Sequence, residues 1–551
     1  MERGYVLLMP ALVLGPLLRY VGQNEAVIWV ETSSPCRVEV MGSSEATFCV
    51  AGHHYCLLRV TGLEAGTWHR YEVALDGDRV WPESESPFPP SQFRTYPMDG
   101  PLVIAFGSCR VAAPNEPPWT LTNEQSPQGL EMDALYALAQ RMAREQRERW
   151  PDLLLLLGDQ VYADEPPPQT RAFIEGRRDV SEAPGDCVYD FEEYTRLYRE
   201  SWSEPTIRWL LSTVSTAMVW DDHDVHDDWN ISQSWLESAR KHHWWDEHIV
   251  AAISSYWLYQ HLGNLPPETH ADDELLARVR EGDGEHELRD FAVRADRRTD
   301  GSRWSYCRDL GRTRMVVIDS RAGRVLDPGR RSMVDNEEWD WISEHATGGC
   351  DHLLIGTSLP WLLATGMHYG EAFSESISEG AFGGRLSHLG EQLRDSLDME
   401  HWAAFRRSFE ALADLQRSVA AGERGPPPAS IVTLSGDVHH SYLCEAAFPR
   451  GSATQSSVWQ AVCSPFRHPL DDRGRRKVRL ARSQGVAVLM RALARAAGVP
   501  DPPMRWRMVD GSPWFDNVVG TLTIDGRSLD LTIEKALPDA SLETMLRKRL
   551  A

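Results

Sequence analysis

A chain of 551 residues is longer than one average domain and long enough to bury at least one large core. Its formal net charge of -24 argues against nucleic-acid binding as the main activity, since phosphate backbones are held by clustered Lys and Arg. Nine cysteines, odd in number and scattered without CxxC or zinc-finger spacing, argue against a disulfide framework and for a reducing compartment.

Residues 5–18 form an apolar run broken by proline and glycine. The run has no twin-Arg and no small-residue cleavage site, so it reads as a strand rather than a signal peptide. No segment approaches the roughly 20 apolar residues that cross a bilayer. Short runs rich in β-branched and aromatic residues follow at 26–31, 37–40, 55–60 and 70–75, so residues 5–97 read as a small β-sandwich. Residues 62–73 resemble the turn and aromatic strand of fibronectin type III-like domains, a likeness of architecture only. The proline-rich stretch 81–93 sets the expected boundary, dividing the chain into an N-terminal β-sandwich domain, 1–97, and a second domain, 98–551.

Residues 102–109 (LVIAFGSC) read as a strand ending in Gly, Ser and Cys, and 130–150 as a helix with Leu135, Leu138 and Met142 on one face. Five leucines at 153–157, closed by Gly158, read as a strand buried on both faces. Together these make a βαβ unit that brings Cys109 towards Asp159. Ligands of open α/β sheets bind outside the carboxyl ends of the strands, and this end carries Asp159, Tyr162 and Asp164. The polar, proline-containing residues 165–187 predict a long loop over the strand ends, a candidate lid. A short strand at 217–220 exits into Asp221, Asp222, His223, Asp224, His226, Asp227 and Asp228. Acids so crowded repel one another unless cations or solvent compensate, and two interleaved histidines point to metal or acid/base chemistry.

Residues 235–263 read as an aromatic amphipathic helix and 268–300 as a charged surface segment. Core strands resume at 313–321 and 352–362, and a long helical stretch runs to about 421 before the linker 422–428. Within it the Gly- and Ser-rich segment 365–390 is expected to shape a pocket. The strand in 430–442 ends in Gly436, Asp437, His439 and His440. A basic helix at 475–497 and a hairpin at 520–525 and 528–535 close the chain. Four strand ends thus carry potential ligands, and ionised groups clustered in a crevice are costly without a compensating charge.

The motifs Gly107-Ser108-Cys109, Gly158-Asp159-Gln160-Val161-Tyr162, Trp220-Asp221-Asp222-His223-Asp224 and Gly436-Asp437-Val438-His439 resemble, in order and spacing, the PhoD-like (alkaline phosphatase D) branch of the calcineurin-like metallophosphatase superfamily. The similarity spans about residues 100–535. It implies an α/β fold, a four-layer αββα sandwich preceded by the small all-β domain. It implies a dinuclear site in which Asp159 bridges both metals. Cys109, Tyr162 and His439 would complete the shell of a ferric ion, with Asp222 and Asp437 on a calcium-type site open to other divalent ions. Thiolate, phenolate and imidazole suit a Lewis-acidic transition metal, and carboxylates suit a hard divalent cation.

The implied activity is that of a metal-dependent phosphoesterase of alkaline phosphatase or phosphodiesterase type. A metal-bound hydroxide would attack a phosphomonoester or diester, and His223 would stabilise or protonate the leaving oxygen. Arg110, directly after the cysteine, is the expected phosphate contact, with Asp164, Asp224 and His440 supporting the ligands. The chain departs from the family in two respects. Residues 356–360 (GTSLP) carry no histidine where many calcineurin-like enzymes supply one. The export signal common in PhoD-like enzymes is not seen, so a cytoplasmic location is expected, with secretion as the alternative. Competing expectations are a non-catalytic binding protein using the fold as a scaffold, and a phospholipase D-like activity on lipid headgroups. Nothing in the sequence sets an oligomeric state.

Overall fold

The computed structural model describes residues 9–551 except 300, 384–386, 388, 389, 393, 395, 396, 450 and 510. Ten strands come first: β1 (Leu12–Val21), β2 (Glu25–Thr32), β3 (Arg37–Val40), β4 (Ser43–Ala46), β5 (Phe48–Val50), β6 (His53–Thr61), β7 (Trp68–Arg70), β8 (Val73–Leu75), β9 (Asp78–Trp81) and β10 (Gln92–Arg94). They form antiparallel sheets in the orders β1-β2-β6-β5 and β4-β3-β8-β9, with β7 and β10 as a separate pair. The first strand starts at Leu12, later than residue 5; positions 5–8 of the expected strand lie outside the described residues.

The larger body rests on two sheets. One contains β11 (Leu102–Gly107), β12 (Leu153–Leu157) and β13 (Ser215–Val219). The other contains β14 (Tyr306–Leu310), β15 (Thr313–Ile318), β16 (His352–Thr357), β17 (Ser430–Ser435), β18 (Tyr442–Ala447), β19 (Ser457–Val462) and β20 (Arg505–Met508). The C-terminal strands β21 (Val518–Asp525), β22 (Ser528–Ala536) and β23 (Leu542–Arg549) return to the first sheet, giving the orders β13-β12-β11-β21-β22-β23 and β14-β15-β16-β17-β19-β18-β20. Strands β11, β12 and β13 run parallel, as do β15, β16, β17 and β19, so their carboxyl ends lie together.

Side-chain alternation builds the layers. Leu354 of β16 and Val432 of β17 join the core shared with Leu154 and Val519 of the first sheet. Their neighbours Leu353, Ile355 and Ile431 join a second core with Phe409, Leu412 and Val419 of the helix Arg406–Ala420. Period-2 strands buried on both faces, with helices outside, give four layers. On the opposite side the helix Ala134–Arg144 covers β21 to β23, its N-terminus capped by Asp133 at Leu135 N (2.9 Å).

The structure corrects several expectations. Residues 165–187 contain a helix, Pro168–Arg177, with Pro168 at its first position, where a missing N–H costs nothing, and Pro166 and Pro167 just before it. Arg177 and Arg178 tie it to Glu193 (3.2 and 2.9 Å), so it is packed rather than a free lid. The expected helix 235–263 breaks into Gln233–Ala239 and Trp245–Ser255, followed by a wide π-helical turn over Tyr256–His261. The fully buried Arg19 of β1 donates to the carbonyls of Tyr259 and Gln260 in that turn. The described residues of 268–300 include the helices Glu274–Val279 and Glu285–Arg297, and the stretch expected to run to 421 holds Thr365–Ser378 and Arg406–Ala420. Positions 384–386, 388 and 389 of the expected pocket-shaping segment lie outside the described residues. The basic helix is two, Asp472–Ala481 and Gln484–Ala496, because Ser483 starts a new cap at Val486 N (3.3 Å).

Candidate metal centre

The strand ends are locked together by backbone bonds. Cys109 N donates to Gly158 O (3.2 Å) and Arg110 N to Asp159 O (3.1 Å), joining the turns after β11 and β12. Asp224 Oδ2 accepts from Asp159 N (3.0 Å) and Asp221 N (2.9 Å), joining the turns after β12 and β13. Across the two sheets, Asp437 N donates to Ser108 Oγ (3.0 Å), and within the second sheet Gly436 N donates to Ser358 O (2.8 Å), joining the turns after β16 and β17. The turns are tight enough that Cys109, Asp159, Asp437 and His439 all adopt positive φ, at 56°, 51°, 66° and 49°. Left-handed backbone at non-glycine residues is strained, and it persists where surrounding structure fixes a side chain.

Three groups of side chains each bring ligand atoms within 4.8 Å of one another: Cys109, Asp159 and His439; Asp159, Asp222 and His223; Asp221, Asp222 and Asp437. Asp159 is common to the first two and Asp222 to the last two. Tyr162 Oη lies 3.5 Å from Asp159 Oδ2. Every predicted ligand is therefore at this one place. Among the described residues the buried Asp159 Oδ1 and Asp221 Oδ2 accept no hydrogen bond, which leaves lone pairs aimed at nothing. Burial, followed by the neighbouring acids, pushes the Cys109 thiol and the Tyr162 phenol well above their ordinary ranges. Burial also raises Asp159. A cation would reverse that cost, and the donor set of carboxylates, thiol, phenol and imidazole fits metal ions.

His223 is held by Asp164, whose Oδ2 accepts from Nδ1 at 2.8 Å. Burial alone would lower this imidazole's pKa, but Asp164 and Asp222 outweigh it and hold it well above the usual histidine value. Asp164 and Asp224 thus each accept hydrogen bonds from the turns that carry the candidate side chains. His440 differs: its Nδ1 bonds Val438 O (2.6 Å), its ring packs on Tyr442 and Phe515, and burial lowers it to about 4. Arg110 also departs from expectation. Its guanidinium is buried, with Nε on Asp133 Oδ2 and Nη1 on Ser201 O, both at 2.8 Å, so its donors brace the first sheet's helices instead of meeting phosphate.

Sequence reasoning missed four residues at the centre. Arg321, at the exit of β15, is fully buried. It pairs with Asp221 and Glu400 and lies 3.0 Å from Asp222 Oδ1 and 3.7 Å from Asp437 Oδ1. Its strand-end position was the available signal. His401 Nε2 lies 3.3 Å from Asp437 Oδ2, with Nδ1 on Glu371 (2.7 Å). The chain thus brings an imidazole to Asp437 although the end of β16 has none. His468 Nδ1 lies 3.0 Å from Tyr162 Oη, and its ring is 4.2 Å from that of His439. Ser464 Oγ donates to Cys109 Sγ at 3.3 Å. His401, His468 and Ser464 sit in irregular segments whose sequence carries no signal.

A family model described as PhoD-like phosphatase matches residues 125–494, a span that holds every predicted ligand except Cys109. A second, described as a domain of unknown function (DUF7800), matches residues 9–93. No curated protein matches by sequence. A solved structure titled "Structure of PhoD" shares 12% identity and superposes with a TM-score of 0.58 over 98% of this chain and 92% of its own. Purple acid phosphatase PPD1 from yellow lupin (Lupinus luteus) seeds shares 11% identity with a TM-score of 0.45, over 97% of this chain and 73% of its own.

Proposed function

The chain belongs to the PhoD-like phosphatase family, and on that premise we propose that it hydrolyses phosphate esters at a dinuclear centre built from the side chains above. The observation that carries the proposal is Asp159, shared by two ligand groups and left with one buried oxygen that accepts no hydrogen bond. Cys109, Tyr162 and His439 would hold one ion with Asp159, and Asp222 and Asp437 a second. Softer donors on the first side suit ferric iron, and oxygens on the second suit calcium or another hard divalent ion. Bound there, the pair would supply Lewis-acidic charge to the phosphoryl oxygens and lower the pKa of an attacking water.

The protein's own residues do the rest. Asp164 accepts from His223 Nδ1, which fixes the ring's orientation and leaves Nε2 for the ester oxygen that departs. Asp164 and Asp222, which outweigh burial, favour the protonated imidazole that such a transfer needs. Arg321, anchored by Glu400, holds Asp221 and Asp222 in place without taking part in bond-making. Ser108 and Ser464 orient the thiolate.

His223→Ala tests the assignment. Turnover on phosphoesters should fall about 10²–10⁴-fold with metal content unchanged. Loss of one metal equivalent would make His223 a ligand instead. A parent protein that binds metal and turns over neither monoesters nor diesters would sink the catalytic reading.

A further inference from the structure

The paired helices Asp472–Ala481 and Gln484–Ala496 have an unusual surface. The first carries Arg473, Arg475, Arg476, Lys477 and Arg479 against a single acid, Asp472, in a chain whose net charge is -24. Arg473, Arg476, Lys477 and Leu480 are exposed and fall at helical spacing, so they share one face. On the second helix Val488, Leu489, Ala492 and Ala496 are exposed beside Gln484, Arg491 and Arg495, the two arginines paired with Asp501, and the helix itself contains no acidic residue. Leu480, Val488 and Leu489 are 65%, 71% and 54% exposed. An amphipathic surface helix normally turns its apolar side inward. Here exposed aliphatic side chains sit on a helix that directly follows and touches the basic one, whose own exposed stripe ends in Leu480.

These side chains do not stand alone. The helix Thr365–Ser378 packs along Gln484–Ala496, and Phe373 joins Ala494 and Met490 in a small cluster between them. Phe382, itself 47% exposed, lies edge-on to Phe373 with ring centroids 6.5 Å apart. The basic helix begins just after His468, the partner of Tyr162, and Arg475 Nε is fixed on Leu470 O (2.9 Å) in that connection. Glu131 and Thr122 line the same cleft, of about 940 Å³, as Arg473, Arg476 and Lys477. The surface is thus joined by a short segment to the candidate centre.

We propose that the outward face of these two helices docks on an anionic lipid surface. Cations beside exposed aliphatic side chains are the composition of a helix that lies in the headgroup layer, the cations attracted by lipid charge and the aliphatic groups entering between chains. Among the described residues no helix is long and apolar enough to cross a membrane, so contact would be peripheral. A second copy of the chain fits less well, because two-fold pairing through this face would set the basic stripe against itself. Neither helix carries the Trp or Tyr that anchors protein partners. The proposal concerns binding alone. If the phosphoesterase reading also holds, docking would bring the centre near phosphate esters of lipid headgroups.

The test is co-sedimentation of the full chain with phosphatidylcholine vesicles, with and without about one third phosphatidylglycerol. Binding is expected only to the anionic vesicles and should weaken as salt rises. The double variant Val488→Glu and Leu489→Glu should lose binding at least about tenfold, and Arg473→Gln with Arg476→Gln should weaken it and flatten the salt dependence. Both alter exposed positions, and an unchanged unfolding midpoint separates lost docking from lost fold. Absence of binding to anionic vesicles, or binding indifferent to both variants, overturns the proposal. Self-association abolished by Val488→Glu without vesicle binding would assign the face to a second copy.

Discussion

Tyr162 beside Asp159 and Arg321 among Asp221, Asp222 and Asp437 both belong to the candidate centre, one as a proposed ligand and the other as a fixed cation. If Tyr162 binds a ferric ion, the protein purified without added metal should contain iron and absorb in the visible. Tyr162→Phe should abolish that band, and a band that survives would remove the phenolate from the shell. Arg321 is ringed by Asp221, Asp222, Glu400 and Asp437 at zero exposure. Arg321→Met leaves buried carboxylates uncompensated and should cost about 3–5 kcal/mol in urea unfolding of metal-free protein. The deficit should shrink when divalent ions are added; a loss below about 1 kcal/mol would mean the carboxylates do not depend on it. The proposed ligands were legible because each follows an apolar strand and a turn, as in Gly158-Asp159 and Gly436-Asp437. Arg321 also follows a strand, but a lone arginine there reads equally well as surface charge. His401 and His468 reach the centre only through tertiary folding.

At the level of elements, the strand-to-turn corners carry the geometry. Gly158 sits at φ 99°, and a Cβ there would lie 2.6 Å from Asp221 Cβ. A side chain at Gly436 would lie 2.1 Å from Ser108 Oγ, the group that accepts from Asp437 N. These glycines let the turns of both sheets approach one another. Gly158→Ala should therefore destabilise by about 1–3 kcal/mol and reduce bound metal, read by thermal unfolding and metal analysis. The control is Gly176→Ala, in the helix Pro168–Arg177 with nothing within 4 Å, which should be neutral or stabilising by up to about 1 kcal/mol. Equal effects of the two would dissociate the corner from the site. The strands themselves were readable from sequence, since an unbroken run such as Leu153–Leu157 has few alternatives. The helix Pro168–Arg177 was not, because the run Pro166-Pro167-Pro168 looks like a loop signal until Pro168 is known to sit at the first helical position. Strand β23 was missed because its residues, LETMLRKR, are half charged, as suits an exposed sheet edge.

Over the whole molecule, the N-terminal sheets are built into the larger body rather than tethered to it. Tyr71 Oη donates to Ser212 O (2.6 Å), Trp209 Nε1 to Pro89 O (2.8 Å), and Arg19 reaches the turn at Tyr256–His261. The all-β character of this region was legible from strand spacing. The density of its contacts was not, because buried polar residues such as Arg19 look like surface positions in a sequence. The division at residue 97 stays a proposal about chain organisation. A titratable bridge crosses the junction: His53 of β6 lies 2.8 Å from Glu192 of the helix Phe191–Trp202 and 3.0 Å from Glu31 of β2. Its hydrogen bonds to Glu192 and Glu31 outweigh burial and raise its pKa from 6.5 to about 9. The folded state therefore holds the proton more tightly than the unfolded chain. The stabilisation is complete below about pH 6.5 and is lost as pH rises through about 9. The unfolding free energies of wild type and His53→Gln should differ most near pH 6 and converge by about pH 10. A difference that stays constant over that range would mean the bridge is neutral, and that apolar packing and backbone bonds alone join the two parts.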